Sequence, residues 1–418
     1  MARQAGERQP GGSGMSVASS SGAPTRNFGL DVLRSAAIAA VLAFHGYLGL
    51  YVSTGLSEWR GWRAALSACG AILGLEWFFV LSGFLIGSIL IRNLETGRRW
   101  WPSTRDFWLR RWFRTLPNYY LFLAVNALLA WWQIEEGRFA WPFLVFSQSL
   151  AWPQQKPLFF SESWSLAVEE WFYFLIALLV GLLGWLLRLE RRRLFGCVAG
   201  VLIVVPMALR IVATPATHFF EWDESFRRVT VMHLDSIGWG VAAAIANRWH
   251  PTWWARRRGL KALLGLFLTA AGMAAMFYFM LRDWHGFAGG RLNDLALMTA
   301  PALGTALLLP WLTTRSAPSP AVRRLVARAA DHSYSMYLCH LPLMLLILAG
   351  IRYFAWDPGG GTGWIFALWL ALVWALSALI FAYFEKPLTG LRDRFSRRVQ
   401  AGPFDAPSAS SSASSGAP

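Results

Sequence analysis

An arginine and a histidine occupy one face of the first apolar segment. Arg34 and His45 are eleven residues apart, which is about 1100° of helical rotation and only about 20° from three full turns. Asp31 lies one turn before Arg34 and is expected to pair with it. Charges inside a bilayer are costly, so these side chains are candidates for function. A structural ion pair beside a packed histidine is the alternative.

Carboxylates at the depth of His45 would be its partners in an acid–base pair. Ser165, Glu169 and Tyr173 form a polar stripe with a spacing of four residues, and Glu170 adjoins it. This segment enters from outside, which brings Glu169 to the depth of His45. A histidine beside a carboxylate is the arrangement that general acid–base catalysis requires.

A second carboxylate, Glu76, lies near the middle of the second apolar segment. It must be protonated or paired there, and Arg34 and His45 are the expected partners. Ser82 and Gly83 follow on the same segment, and such a pair is more often a helix-packing site than a catalytic one.

Clustered arginines begin the third segment, where Arg111 and Arg114 precede Pro117. Two or three guanidinium groups can bind a phosphorylated cofactor. Anchoring to anionic lipid is an equal alternative.

Fainter candidates open two later segments. Asp235 opens the seventh from the outer side, and His340 opens the tenth from the inner side, where we expect it nearer the cytoplasm than His45 and mainly structural. The three cysteines are far apart and show neither CxxC nor CxxH spacing, so we expect no metal site and no disulfide framework.

The composition excludes a soluble enzyme, a disordered protein and a disulfide scaffold. Of the 418 residues, 56% are hydrophobic and 15% charged, against about 25% charged in an ordinary soluble domain. The apolar residues form blocks of about 20, long enough to cross a bilayer as helices. The net charge of +16 could suggest a nucleic-acid partner, but the placement of the charges indicates membrane topology instead.

Eleven apolar segments are recognisable, near 30–50, 66–91, 113–132, 141–151, 164–187, 194–213, 231–247, 262–281, 293–312, 333–351 and 364–384. The fourth is too short to span a bilayer. With a cytoplasmic N-terminus and this segment not spanning, 27 of the 39 Lys and Arg residues face the cytoplasm, nine face outward and three lie within segments.

The sequence therefore predicts an all-α polytopic membrane protein. We expect about ten transmembrane helices, one short interfacial or re-entrant segment, and both termini in the cytoplasm. Residues 28–390 would form the membrane domain, flanked by disordered cytoplasmic tails over 1–27 and 391–418 that are rich in Gly, Ser, Ala and Pro.

Five motifs in order resemble the membrane acyltransferase-3 family of bacterial O-acyltransferases. They are 30–45, 76–84, 111–117, 164–170 and 333–340. Two positions depart from the family pattern: Cys339 stands where Trp is usual, and Trp171 where Gln is common. These departures leave the chemistry intact but would reshape the pocket.

The resemblance implies transfer of an acyl group, commonly acetyl from acetyl-CoA, to a hydroxyl of an envelope glycan, lipid-linked sugar or small molecule in the bacterial inner membrane. It implies an essential histidine at His45, and we expect no appended transferase domain. The expected roles are catalytic for His45, Glu169, Ser165 and Glu76, binding of the CoA phosphates for Arg34, Arg111 and Arg114, and support for Asp31, Ser82, Glu170, Tyr173, Asp235 and His340.

Two routes for the acyl group stay open. His45, oriented by Glu169 or Glu76, can activate the acceptor hydroxyl for direct attack on the thioester, or it can carry the acyl group as a covalent relay. A transporter or flippase that uses the same charges as a proton or substrate path is the alternative function. It is disfavoured because the sequence shows no internal repeat, and a non-catalytic scaffold would leave the histidine and the glutamates unexplained. The oligomeric state is not readable from the sequence.

Overall fold

The computed structural model describes residues 26–391 apart from 54, 56–60, 98–99, 284–290 and 358. The predicted tails lie outside these residues except at their inner ends. All regular secondary structure in the described part of the chain is helical, as predicted.

In chain order the α-helices are α1 Phe28–Gly46, α2 Trp62–Glu95, α3 Trp100–Trp131, α4 Ser163–Leu187, α5 Arg191–Val212, α6 Phe219–Trp222, α7 Leu234–Trp249, α8 Pro251–Ala255, α9 Arg258–Asp283, α10 Arg291–Leu312, α11 Pro320–Tyr353 and α12 Thr362–Ile380. The longest connection between consecutive α-helices is the one from α3 to α4. Helix α1 continues as π-helix over Tyr47–Val52, and α12 does so over Phe381–Glu385. Side-chain caps begin three of the helices: Asn27 before α1, His218 before α6 and Ser319 before α11.

Eight helices in the described ranges are long and apolar enough to cross a bilayer. They account for all of the predicted spans except those at the third and the seventh apolar segments, 113–132 and 231–247. The third lies in α3, whose first half carries several arginines, and the seventh is α7, which has only 16 residues. A multi-pass helical membrane protein is therefore confirmed. Length and composition identify eight candidate crossings in the described residues and do not confirm the predicted count of ten.

Helix α2 forms the centre of the bundle, with 72% of its most apolar stretch buried. It packs against α1, α4, α7, α9 and α10. Its approach to α7 depends on glycine: a Cβ on Gly83 would lie 2.0 Å from the Ile237 carbonyl oxygen, and one on Gly240 would lie 2.1 Å from that of Val80. The Ser82–Gly83 motif is thus a helix-packing site, because only glycine permits so close a contact between backbones.

The connection between α3 and α4 folds back along α3. The hydroxyls of Tyr119 and Tyr120 each donate to carbonyl oxygens of the 3₁₀-helix Trp141–Val145, over 2.7 Å. Tyr119 lies twelve residues before the end of α3, or about 18 Å along the helix axis. The fourth apolar segment therefore lies alongside the second half of α3.

Candidate active site

A cavity of about 680 Å³, including its open mouth, lies between α1, α2, α3, α4 and α11. Its polar lining comes from all five helices. The polar residues are Arg34, Ser82, Arg111, Arg114, Thr115, Ser165, Glu169, Tyr173, Ser333, Tyr334 and Tyr337. The structure thus brings together seven of the residues that the sequence predicted for the site.

Three guanidinium groups converge on this cavity, Arg34 from α1 and Arg111 and Arg114 from α3. None of the three has a carboxylate oxygen within 4.0 Å in the described part of the chain. Arg111 stacks on the ring of Tyr173 at 4.5 Å, and its buried Nε has no partner. Three clustered arginines that form no salt bridge, beside a single carboxylate in the same lining, favour an anionic ligand, because their mutual repulsion is relieved when one binds.

One carboxylate shares the cavity with the arginines. The Ser82 hydroxyl donates to Glu169 Oε1 over 2.5 Å. Glu170 points elsewhere: it contacts Thr115 and lines a separate groove beside α3. Of the two adjacent glutamates, only Glu169 lines the cavity.

The cavity ends at two hydroxyl groups. Ser165 Oγ lies 2.6 Å from the Tyr337 hydroxyl, and the carbonyl oxygen of Glu162 is 3.1 and 3.0 Å from them. Tyr337 was not among the predicted site residues. The available signal was its place in the 333–340 motif, one turn before His340.

His45 lies beyond this end of the cavity, against His340. Nε2 of His340 is 3.1 Å from Nδ1 of His45, and the ring centroids are 4.8 Å apart. The expectation that His340 sits nearer the cytoplasm than His45 is therefore wrong. Helices α1 and α11 run side by side in the same direction, and the two rings meet at one level.

The hydrogen bonds define which nitrogens carry protons. Nδ1 of His340 lies 2.6 Å from the Tyr337 carbonyl oxygen, which only accepts, so this nitrogen is protonated and Nε2 accepts. Nδ1 of His45 faces that Nε2 and the carbonyl oxygen of Val41, each at 3.1 Å. Because both neighbours are acceptors, His45 carries its proton on Nδ1 and its Nε2 is the basic nitrogen.

A family comparison identifies the fold that holds these residues. The family model described as "Acyltransferase domain" matches residues 27–383. The chain belongs to this acyltransferase family. The family resemblance of the five motifs is thereby confirmed.

Curated relatives of this acyltransferase are similar at modest identity. The putative peptidoglycan O-acetyltransferase YrhL of Bacillus subtilis is 24% identical over 89% of this chain and 56% of its own length. O-acetyltransferase OatA of Staphylococcus aureus is 24% identical over 76% and 51%, and peptidoglycan O-acetyltransferase OatA of Listeria monocytogenes is 28% identical over 37% and 24%.

The acyltransferase spans about half the length, or less, of these relatives. None of the three is described as a transporter, so the transporter alternative gains no support from them. No solved structure matches the chain.

Neither predicted carboxylate orients His45 in this acyltransferase. Glu169 accepts from Ser82, and Glu76 Oε1 lies 2.8 Å from Nε2 of His233. The expected pairing of Glu76 with Arg34 or His45 is therefore wrong. His233, wholly buried between α2 and α4, was missed as its partner because their contact joins residues 157 positions apart.

Asp31 also has a partner that the sequence did not suggest. It accepts from Arg26 over 2.5 Å, and Arg26 bridges to Asp331 on α11 at 2.9 Å. The predicted pair of Asp31 with Arg34 does not form, because the aspartate faces the start of the helix. Arg34 therefore lines the cavity without an ion pair to Asp31.

Asp235 belongs to a buried ion pair away from the cavity. Its carboxylate oxygens lie 3.0 and 2.6 Å from the two terminal nitrogens of Arg210, and both side chains are fully buried. The pair joins α5 to α7. Among the described residues, no group of three or more His, Cys, Asp or Glu side chains is arranged to hold a metal ion.

Proposed function

We propose that this protein is a membrane O-acetyltransferase that moves an acetyl group from acyl-CoA to a hydroxyl of a cell-envelope glycan or lipid-linked sugar. The observation that carries the proposal is the connected row of groups from the three unpaired arginines to the Ser165–Tyr337 pair and the His340–His45 pair. The arginine end of this row can bind a polyanion, and the histidine end holds a base. The names of the relatives supply the acetyl group and the glycan.

The topology in this proposal has ten crossings with both termini in the cytoplasm of the bacterial inner membrane. Helices α3 and α7 would then cross as the third and sixth spans. The distribution of Lys and Arg supports this arrangement. It directs the arginine end of the cavity toward the cytoplasm, where acyl-CoA is found.

Donor binding is assigned to Arg34, Arg111 and Arg114. Guanidinium groups bind phosphate oxygens through paired, charge-assisted hydrogen bonds. The phosphates of CoA would occupy the mouth of the cavity and the thioester would extend toward Ser165 and Tyr337. One of these two hydroxyl groups would turn from its present acceptor, the Glu162 carbonyl oxygen or the other hydroxyl, to donate to the thioester carbonyl oxygen as negative charge develops on it.

Proton transfer is assigned to His45. Its Nε2 takes the proton of the acceptor hydroxyl while that oxygen attacks the thioester carbonyl. As the C–S bond breaks, the imidazolium returns the proton to the departing thiolate. His340 replaces the carboxylate expected from the sequence, because it accepts the hydrogen bond from Nδ1 of His45 and so holds the ring in the tautomer that leaves Nε2 basic.

A covalent relay is the second route. In it, Nε2 of His45 attacks the donor, CoA leaves as its thiol, and the acetyl-imidazole then passes the acyl group to the acceptor oxygen. Incubation with labelled acetyl-CoA alone, followed by rapid denaturation and mass spectrometry, distinguishes the routes. An acetyl mass increment on His45 supports the relay, and its reproducible absence supports direct transfer.

The test of the function is the ester-linked acetate in envelope glycans of cells that express the wild type or His45→Ala at equal membrane levels. We expect the ester with the wild type alone. Ester formation by both proteins would contradict the role of His45. If purified wild type transfers no acetate to any glycan but moves a solute into sealed vesicles, the transferase proposal is wrong.

A further inference from the structure

A second cavity lies in the connection between α3 and α4. It is separate from the cavity lined by Arg34, Arg111 and Arg114, which we call the donor cavity. It has a volume of about 970 Å³ including its opening. We call it the α3–α4 groove. Its lining comprises Glu136, Arg138, Ala140, Pro142, Phe143, Gln148, Trp152, Gln154, Gln155, Lys156, Pro157 and Phe159.

The walls of the groove are held by hydrogen bonds, so the site is preformed. Tyr119 donates to the carbonyl oxygen of Phe143 over 2.7 Å, and Gln154 Nε2 donates to that of Phe159 over 2.5 Å. The Phe160 amide donates to Glu135 Oε1 over 2.6 Å. These hydrogen bonds hold both sides of the α3–α4 connection in place.

Two residues that line the groove also carry buried polar atoms that the protein leaves unsatisfied. Gln148 and Gln154 are 4% and 9% exposed, and the Oε1 atom of each has no hydrogen-bond partner. Buried amide oxygens without a partner are rare because they have lost water and gained nothing in exchange. Two of them in one cavity wall indicate a ligand with hydroxyl or amide donors.

The charge of the groove favours a neutral ligand. Lys156 is neutralised by Glu224, 2.8 Å away, and Glu136 and Arg138 carry opposite charges. Trp152, with 54% of its surface exposed, adds an apolar face with a donor at its edge. Amide groups around an aromatic face, with no excess charge, match an uncharged sugar better than a phosphorylated lipid headgroup.

The groove is joined to the donor cavity through the first turn of α4. Gln148 Nε2 donates to the carbonyl oxygen and to the hydroxyl of Ser163, over 3.2 and 3.1 Å. Ser165, two residues further on, lines the donor cavity. A chain seated in the groove would therefore lie close to Ser165, two residues along α4 from the serine that Gln148 contacts.

We infer that the α3–α4 groove binds the acceptor as a neutral oligosaccharide with hydroxyl or amide groups that donate hydrogen bonds. This inference rests on the proposed function, because it gives the glycan acceptor its binding site. The groove would set the affinity for the glycan, whereas the arginines would set the affinity for the donor. Trp152 and Gln155, both exposed, are the residues whose removal tests it.

The experiment measures binding of triacetylchitotriose to the purified full chain in detergent, without donor, by saturation-transfer NMR. We expect Trp152→Ala and Gln155→Ala to raise the dissociation constant about tenfold or more and about threefold. Trp141→Ala is the matched control, since Trp141 is 70% exposed on the same connection and does not line the groove. Melting temperatures verify that each variant is folded.

Each result either supports or overturns the inference. No binding by the wild type, equal binding by all variants, or displacement of the trisaccharide by glycerol 3-phosphate overturns the inference. Acetate transfer is then measured separately. Groove-dependent binding without any transfer by the wild type counts against the proposed function alone, and transfer by the wild type with binding unchanged in Trp152→Ala counts against the groove alone.

Discussion

The imidazole of His340 accepts a hydrogen bond from that of His45, with 3.1 Å between Nε2 and Nδ1. The Tyr337 carbonyl oxygen fixes the tautomer of His340, which in turn fixes that of His45. A neutral imidazole thus occupies the position that a carboxylate holds in a Ser-His-Asp triad.

Replacement of His45 by Ala removes the proposed base. We expect the rate of acetate transfer to fall about 100-fold to 10 000-fold, which is the usual contribution of general acid–base catalysis. The measurement is release of CoA thiol by purified protein with a glycan acceptor. His250→Ala, at an exposed histidine after α7, should be unaffected, and equal rates for both variants would contradict the assignment.

Replacement of His340 by Ala removes the acceptor that orients His45. We expect kcat to fall about 10-fold to 100-fold with the KM for the donor unchanged, as for partners that orient a catalytic histidine. His340→Asn retains an acceptor oxygen and should recover part of the loss. If Ala and Asn variants are equally slow and equally destabilised, the role of His340 is structural.

Replacement of Arg114 by Ala removes one of the three unpaired cations. We expect the KM for acyl-CoA to rise about 10-fold to 100-fold, since a hydrogen bond to a charged group contributes about 1.5–3 kcal/mol. Arg110→Ala is the control, because Arg110 is exposed on the same helix and pairs with Asp106. An unchanged KM in the Arg114 variant would indicate that the cavity is not the donor site.

Replacement of Asp235 by Ala leaves the Arg210 guanidinium buried without its partner. We expect a loss of about 3–5 kcal/mol of stability, whereas the double change Arg210→Met with Asp235→Leu should be far milder. Thermal unfolding in detergent compares the two. Equal destabilisation by both would show that packing volume, rather than the unpaired charge, controls this contact between α5 and α7.

A pH-dependent loosening is expected where α4 begins. Burial raises the pKa of Glu162 from 4.5 to about 8, so the fold favours the protonated form. This stabilisation is complete below about pH 4.5 and is lost as the pH rises through about 8. Hydrogen exchange at residues 159–165, corrected for intrinsic rates, should accelerate between pH 6 and pH 9 in the wild type.

Glu162→Gln is the matched variant for that measurement, because its amide keeps the shape and cannot ionise. We expect its corrected exchange to be flat over the same range. An equal acceleration in both proteins would assign the effect to another group, and Glu135, whose pKa burial raises to about 7, is the next to replace.

The sequence alone determined the class of the molecule and most members of the site. Apolar blocks of membrane length require helices, since a bilayer leaves no other partner for backbone polar groups. Helical periodicity placed Ser165, Glu169 and Tyr173 on one face, and all three line the cavity. The spacing of Arg34 and His45 likewise follows from the geometry of a single helix.

Only the tertiary structure decided which groups touch. Helical period predicts neighbours within one helix, but the pairs His45 with His340, Glu76 with His233 and Asp235 with Arg210 each join two helices. Such contacts depend on the relative height and rotation of packed helices, and no local pattern encodes these. The packing of the α3–α4 connection alongside α3 is of the same kind, because hydroxyl groups on α3 hold it.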